Sequence, residues 1–219
     1  MRGANRGGWM IVGGLPAATE MLPRRWRTLA VGIVLALTLL LPTRLQAQSI
    51  TYSEVKLGIL DHDAHFLGGK EHGVDINPEV IFGSPITDDM IANAPPWLHW
   101  ALQPRPTLGG AINTAGDTDQ FYLGGTWSWM LVSNIFNPED GVVLGFFFGP
   151  GLNNGKIQSN VDDRKSLGSN ILFREALELG YQINVTWGIS AYMDHISNGG
   201  LAKENQSIND VGIRIGYRF

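Results

Sequence analysis

The chain has 219 residues, of which 28 are glycine and none is cysteine, and its formal net charge is −4. This length allows one domain, and the lack of cysteine excludes a disulfide framework and a cysteine-based zinc site. The two common glycine-rich phosphate-binding patterns, GxxxxGK[S/T] and GxGxxG, are also missing from the sequence, which argues against a nucleotide-binding protein.

The first predicted element is an export signal. Three arginines follow Met21, an apolar run extends over residues 29–41, and a polar stretch ends in LQAQ. This order is typical of a secretory signal peptide, with cleavage near Ala47 or Gln48. The apolar run is short for a helix that spans a bilayer, which needs about 20 residues, although a retained anchor helix is the alternative. We therefore predict a signal peptide over residues 1–48, with Met21 as a candidate true start, and one domain over residues 49–219.

Removal of residues 1–48 takes away six basic residues and one acidic residue, which leaves 10 basic against 19 acidic residues and a net charge of −9. Nucleic-acid binding depends on clustered lysine and arginine that contact phosphates. The acidic mature chain is therefore predicted not to bind nucleic acid.

Eight stretches of the mature chain alternate between apolar and polar residues with a period of two, and turn-rich stretches separate them. This period predicts β-strands rather than helices. The predicted strands cover residues 51–61, 72–83, 97–112, 119–132, 141–151, 168–181, 185–197 and 207–219.

The last predicted strand, NDVGIRIGYRF, shows the alternation most clearly, with apolar side chains on one face and glycine and arginine on the other. The polar faces of the last three strands carry Arg174, Glu178, Asp194, Arg214 and Arg218. Burying so many charges in a soluble sandwich would be costly, whereas a membrane barrel turns its apolar face to lipid and its polar face inward. The fold class predicted is therefore all-β, an eight-stranded antiparallel transmembrane β-barrel, and the aromatic Phe219 is typical of outer-membrane barrels.

With both termini in the periplasm, the links after strands 1, 3, 5 and 7 would be extracellular. The short link near residues 182–184 suits a periplasmic turn, and the long polar link NNGKIQSNVDDRKS suits an extracellular loop. The link SPITDDMIANAPP between strands 2 and 3 is longer than this topology predicts.

The end of the seventh strand, HISNGG, carries residues with reactive chemistry. His195 and Ser197 share the outward face, and a hairpin symmetric about residue 202 places Asn209 opposite His195. These three residues form a candidate catalytic site in which Ser197 is the nucleophile, His195 the base and Asn209 the group that orients the imidazole. Asn198 and Gly199 are candidate oxyanion donors. The alternative is that His195 and Ser197 are only interfacial polar residues at a strand end.

The HISN motif, the Asn-bearing loop after it and the closing GYRF strand resemble the PagL-type lipid A 3-O-deacylases, also called the acyloxyacyl-hydrolase family. SEVKLGILDHD, KEHGVDINPEVIF and LGSNILFREALELGYQI add to the resemblance, which extends over most of residues 53–219. The resemblance implies an eight-stranded outer-membrane barrel that removes the 3-linked acyl chain of lipid A by ester hydrolysis, without metal or cofactor. It also implies that lipid A or lipopolysaccharide and outer-membrane lipid are the partners, and a homodimer is compatible with it.

The resemblance implies that the third catalytic member is a carboxylate on the outward face of the last strand, at the position of Asn209. Asp210 is expected to point into the barrel, and Glu204 lies in the loop. For Glu175, a turn symmetric about residue 183 places it opposite Ala191, about 13 Å below His195. Three interpretations remain open: an active His-Ser-Asn enzyme, a triad completed by another carboxylate, and a catalytically weak or non-enzymatic barrel with a structural or adhesive role.

Two further clusters have alternative explanations. The stretch DHDAHF contains two histidines and two aspartates that suit either a metal site or a polar cap at the top of strand 1; we predict the cap and no metal. The tryptophans suit either a ligand platform or, as we predict, an aromatic girdle at the membrane interfaces.

Overall fold

The computed structural model describes residues 53–219, which form a closed barrel in which every strand is antiparallel to its neighbours and the last strand pairs with the first. The predicted fold class is confirmed, while the predicted signal peptide, residues 1–48, lies outside the described residues. The strands are β1 (Glu54–Asp61), β2 (Val74–Ile81), β3 (Arg105–Asn113), β4 (Gln120–Ser133), β5 (Gly141–Asn153), β6 (Ile171–Gln182), β7 (Trp187–Ser197) and β8 (Ile208–Arg218).

The third predicted strand, 97–112, is wrong in its first half. A 3₁₀-helix, Pro96–Leu98, leads directly into one turn of α-helix, α1 (His99–Leu102), and β3 begins only at Arg105. Pro95 and Pro96 lack backbone N–H groups for a strand ladder, and Pro96 has the fixed φ that suits the start of a helix. With a further 3₁₀-helix, Asp88–Ile91, these turns account for the unexpected length of the link between β2 and β3.

The barrel interior contains paired charges beside a small cluster of buried apolar and aromatic side chains that includes Leu60, Tyr122 and Phe147. Arg174 Nη2 lies 2.6 Å from Asp194 Oδ2, and Lys56 Nζ lies 2.7 Å from Glu178 Oε1. Arg214 is bound by Glu79 and stacks over the Tyr192 ring. This arrangement confirms the predicted inward positions of the charged residues. In a narrow polar interior, opposite charges lie close enough to form ion pairs.

The outer wall is apolar and half-exposed along every strand, as a surface in contact with lipid should be. Tryptophans lie near one rim, where Trp100 of α1 packs against Trp129 of the wall and Trp187 packs against Tyr217. This rim carries the links after β2, β4 and β6, and the cluster has the form of the predicted girdle at one membrane interface. Within residues 53–219, no helix is long and apolar enough to cross a membrane.

The opposite rim, here called the loop end, carries the links over residues 62–73, 114–119, 154–170 and 198–207. A small apolar cluster closes the interior at the loop end: Leu167, Leu172, Ile196 and Ile208. Ile196 lies between the outward-facing His195 and Ser197 in the sequence. The wall segment that bears these two residues is therefore packed against a dry, buried support.

Candidate active site

His195 and Ser197 lie on the outward face of β7 at the loop end, where the alternation predicts them. The side chains between and after them, Ile196 and Asn198, are buried. His195 pairs with Asn209 of β8, which is the register that symmetry about residue 202 predicts. Strand pairing thus brings His195, Ser197 and Asn209 together on one patch of the outer wall.

The three side chains form a continuous hydrogen-bonded chain. His195 Nδ1 lies 2.7 Å from Asn209 Oδ1, and His195 Nε2 lies 3.1 Å from Ser197 Oγ. An amide oxygen can only accept a hydrogen bond, so Nδ1 carries the ring proton and donates a hydrogen bond to Asn209 Oδ1. Nε2 is then unprotonated and accepts from the Ser197 hydroxyl. This is the tautomer that a general base needs if it is to take the proton of a serine nucleophile.

The Asn198 side chain braces the loop rather than pointing toward Ser197. Its Nδ2 donates to Leu167 O at 2.8 Å and to Glu204 O at 2.6 Å, and its Oδ1 accepts from Gly200 N at 2.9 Å. With both amide atoms engaged, the side chain has little capacity left to donate to an oxyanion. Asn198 was predicted as such a donor, and the hydrogen bonds instead favour a role in holding the loop.

Gly199 retains the features of an oxyanion donor. Its φ is +65°, in the left-handed region where glycine is favoured. Its backbone N–H makes no hydrogen bond to the part of the chain that the structure describes. A backbone N–H at this point, two residues after Ser197, is therefore available to a developing negative charge.

The loop that carries Gly199 is fixed by the long link between β5 and β6. Gln206 and Ser166 exchange two hydrogen bonds, Gln206 N to Ser166 O at 3.0 Å and Ser166 N to Gln206 Oε1 at 2.8 Å. Gly168 lies where the two links meet, and its φ is +75°. A Cβ at this position would come within 1.9 Å of Glu204 O and 2.6 Å of Asn198 Nδ2. The site loop thus depends on close approach of the two links.

We expect Gly168→Ala to displace the Asn198 loop and, with Ser197 as the predicted nucleophile, to lower the rate of ester hydrolysis by about tenfold or more, because small misplacements of a reacting group are costly. Initial rates on purified refolded protein measure this. Gly116→Ala is the matched control, because Gly116 has a similar φ of +84° but nothing within 4 Å of the added Cβ. Equal rates in both variants would contradict the proposed bracing.

One of the carboxylates near the site lies at a position other than the one the sequence predicts. Asp210 points into the barrel as predicted, where it accepts from Asp63 N at 2.9 Å. Glu204 contributes its backbone carbonyl to the Asn198 bracket. The predicted position of Glu175 is wrong: it pairs with His195 and not with Ala191. β6 continues to Gln182, so the turn is centred two residues later than assumed, and this moves the pairing partner of Glu175 by four residues.

A shallow groove of about 340 Å³ extends from the site along the outer wall. Near the loop end the groove is lined by Glu175, His195 and Asn209. Farther from the loop end it is lined by Phe146, Leu177 and Met193. Cross-strand pairing connects the lower residues in one row, since Leu177 pairs with both Phe146 and Met193. The groove therefore joins a polar reactive cluster to an apolar surface that suits an extended acyl chain.

A second polar cluster, at the interior side of the loop end, has the residue types of a metal site. Atoms of His62, Asp75 and Asp210 lie within 4.8 Å of one another. However, both ring nitrogens of His62 contact carboxylates, Nδ1 at 2.9 Å from Asp75 and Nε2 at 3.3 Å from Glu71. Burial opposes the charge of His62, but the hydrogen bonds to Asp75 and Glu71 outweigh it and raise the pKa of His62 to about 10.

The partner Glu71 is held ionised in the same cluster. Burial opposes its charge, but its hydrogen bonds with His62, Thr118 and Lys165 prevail and lower the pKa of Glu71 to about 2. Both ring nitrogens of His62 are thus engaged by carboxylates of the same cluster. The contacts thus favour the predicted polar cap, an ion-paired network that ties the loop end together.

Comparison with known proteins identifies the family. A family profile described as "Lipid A 3-O-deacylase (PagL)" matches residues 92–218, more than half of the chain. The chain therefore belongs to the PagL family. No curated protein matches the sequence. The family membership confirms the resemblance noted in the sequence and assigns the chain to the outer-membrane lipid A deacylases of Gram-negative bacteria.

A solved structure has the same fold. The crystal structure of the outer membrane enzyme PagL matches with a TM-score of 0.55 and 12% identity, over 74% of this chain and 97% of that chain. The N-terminal β-barrel domain of Pseudomonas aeruginosa OprF matches with a TM-score of 0.46 and 11% identity, over 78% of this chain and 100% of that chain. At these identities the likeness concerns the barrel and not the site.

Proposed function

We propose that this PagL-family protein hydrolyses the ester of the 3-linked acyl chain of lipid A, with Ser197 as nucleophile and His195 as general base. The observation that carries the proposal is the hydrogen-bonded chain from Asn209 through His195 to Ser197 on the lipid-facing wall. A reactive serine in that position is useful only for a substrate that lies in the membrane. Lipid A is such a substrate.

In the first half of the reaction, the Ser197 hydroxyl gives its proton to His195 Nε2 while Oγ attacks the ester carbonyl carbon. The carbonyl oxygen becomes an oxyanion, which the Gly199 N–H stabilises. As the tetrahedral intermediate collapses, the bond to the sugar oxygen breaks and His195 returns the proton to that oxygen. The products are the 3-hydroxyl of the sugar and an acyl group on Ser197.

In the second half, a water molecule replaces the sugar. His195 takes a proton from the water, and the resulting hydroxide attacks the acyl-serine carbonyl carbon. Collapse of this second intermediate releases the free fatty acid, and the proton returns to Ser197 Oγ. Asn209 keeps the ring in the reactive tautomer in both halves.

The groove accounts for the placement of the site in the wall. The acyl chain can lie against Phe146, Leu177 and Met193, which face lipid. The ester then meets Ser197 near the loop end, where the headgroups of the outer leaflet are expected. Since the chain stays in an apolar environment throughout, the substrate need not leave the membrane.

The proposal is tested by expressing the whole chain in a Gram-negative host and measuring the mass of the host's lipid A by mass spectrometry. We expect loss of one hydroxyacyl group relative to the empty vector. Unchanged lipid A mass beside a folded barrel in the outer membrane would favour a structural or adhesive barrel instead. The intact mass of the purified protein tests, in the same preparation, the proposed removal of residues 1–48.

A further inference from the structure

Glu175 is a carboxylate on a largely apolar outer wall. Among the outward-facing positions of the eight described strands, the carboxylates are Asp61 and Glu175, and both are exposed. An ionisable side chain on a lipid-facing surface is unfavourable unless it has a partner or a function. Its position therefore requires an explanation that the interior network does not give, because that network lies on the other face of the sheet.

The register places Glu175 beside the candidate base. Along one row of the wall, Phe148 pairs with Glu175, Glu175 with His195, and His195 with Asn209. Directly opposite side chains on one face of antiparallel strands have Cβ atoms about 4.5–5.5 Å apart. His195 thus has a neutral amide on one side and a carboxylate on the other, and all three side chains line the same groove.

Asn209 and Glu175 together can perform the two roles that a single carboxylate performs in a Ser-His-Asp site. Such a carboxylate both fixes the tautomer of the imidazole and stabilises the imidazolium that forms during the reaction. Asn209 performs the first role through its contact with Nδ1, but an amide carries no charge. In a low-dielectric surrounding, the unbalanced positive charge on His195 would raise the barrier to proton transfer.

We propose that Glu175 supplies the negative charge that Asn209 lacks, as a positioning residue that stabilises protonated His195; this rests on the proposed Ser197 mechanism. Other carboxylates are less suitable. Asp210 lies inside the barrel, and Asp61 lies two strands from His195 and two residues farther from the loop end, about 12 Å away at the usual strand spacing and rise. The family resemblance implies a carboxylate on β8, at the position of Asn209. In this chain the carboxylate beside His195 is on β6, the neighbouring strand on the other side.

The experiment measures kcat and KM on lipid A in detergent micelles for full-length wild type, Glu175→Gln, Glu175→Asp and Asp61→Asn. We expect Glu175→Gln, which keeps the shape and removes the charge, to lower kcat about 100-fold with KM within about twofold, since the charge acts on the transition state. Glu175→Asp should recover part of the rate. Asp61→Asn removes the other outward carboxylate and should leave both constants within about twofold.

A second variant moves the charge. Asn209→Asp in the Glu175→Gln background puts a carboxylate on Nδ1 and should restore kcat at least tenfold, which a purely structural role of Glu175 does not predict. Unchanged kcat in Glu175→Gln, an effect on KM alone, or a fall in kcat that neither Glu175→Asp nor Asn209→Asp moderates would overturn the inference. If wild type is active and Ser197→Ala is inactive, such a result leaves the proposed function standing; if Ser197→Ala is active, the proposed function itself fails.

Discussion

Replacing Ser197 by alanine should reduce deacylation to the level of the empty vector, a loss of about 10³-fold or more, because the attacking oxygen is removed. His195→Ala should cost about as much, since without the base the hydroxyl remains protonated. The double variant should be no worse than either single variant, because the two residues act as one unit. Initial rates of fatty-acid release from lipid A, with folding checked by heat-modifiable electrophoresis, measure all three.

Ser190→Ala is the matched control for this prediction. Ser190 lies on the same strand as Ser197, but it faces the interior and donates to Glu178 Oε1 at 2.5 Å. Its loss should leave the rate of deacylation nearly unchanged, because Glu178 retains Lys56 as a partner. Full activity of Ser197→Ala would remove Ser197 from the mechanism, whatever the state of the barrel.

The alternation of single strands could be read from the sequence, and so could part of the site. In β7 and β8 every second residue is apolar, so the outward positions of His195, Ser197 and Asn209 followed from parity alone. The loop between these strands is symmetric about residue 202, and the simple hairpin assumption gave the correct pairing of His195 with Asn209. Local periodicity is therefore enough when strand and turn share one regular register.

The same assumption failed one hairpin earlier. Ile183 N and Asn184 N both bond to Trp187 O, and Asn184 Oδ1 accepts from Thr186 N and Trp187 N. These bonds belong to a turn over residues 183–187 that is centred on residue 185, which shifts the pairing enough to bring Glu175 beside His195. Alternation does not contain this information, because it fixes the face of each residue but not its partner across the turn. The signal that could have indicated Glu175 was its charge on an apolar face.

The contacts of the Asn198 side chain are also beyond sequence reasoning. An amide next to a candidate nucleophile suits an oxyanion hole by its chemistry. Its partners Leu167 O and Glu204 O come from two separate links, and their approach depends on how the long 154–170 link folds over the barrel. Such irregular loops have no periodic pattern from which their contacts can be inferred.

Replacing Arg174 by methionine should destabilise the barrel by about 3–5 kcal/mol, because it leaves the buried charge of Asp194 without its partner. Arg174 is fully buried, donates to Asp194 Oδ2 at 2.6 Å and to Tyr192 Oη at 3.0 Å, and also donates to Gln120. Asp194 is directly opposite a second buried carboxylate, Asp210. Urea unfolding in lipid vesicles, followed by tryptophan fluorescence, gives the change in the free energy of unfolding.

Two further variants separate the loss of a cation from the loss of the Arg174 side chain. Arg174→Met combined with Asp194→Leu removes both charges and should recover most of the stability, since apolar replacement of a buried pair is often neutral. Lys56→Met should cost much less than Arg174→Met, because its partner Glu178 also has Arg214 at 3.7 Å. Equal destabilisation by Lys56→Met and Arg174→Met would contradict this distinction.

The interior pair also has a consequence for the outer wall. Arg174 lies between Phe173 and Glu175 in the sequence, and Asp194 lies between Met193 and His195, so each ion-pair member is adjacent to a residue of the row beside the site. A slip of one residue between β6 and β7 would turn one member of the pair toward lipid and leave the other unpaired in the interior, and the cost of both opposes the slip. We therefore expect Arg174→Met to lower deacylation beyond the loss of folded protein, and the double variant to recover stability more fully than activity. Rates normalised to folded barrel measure the difference.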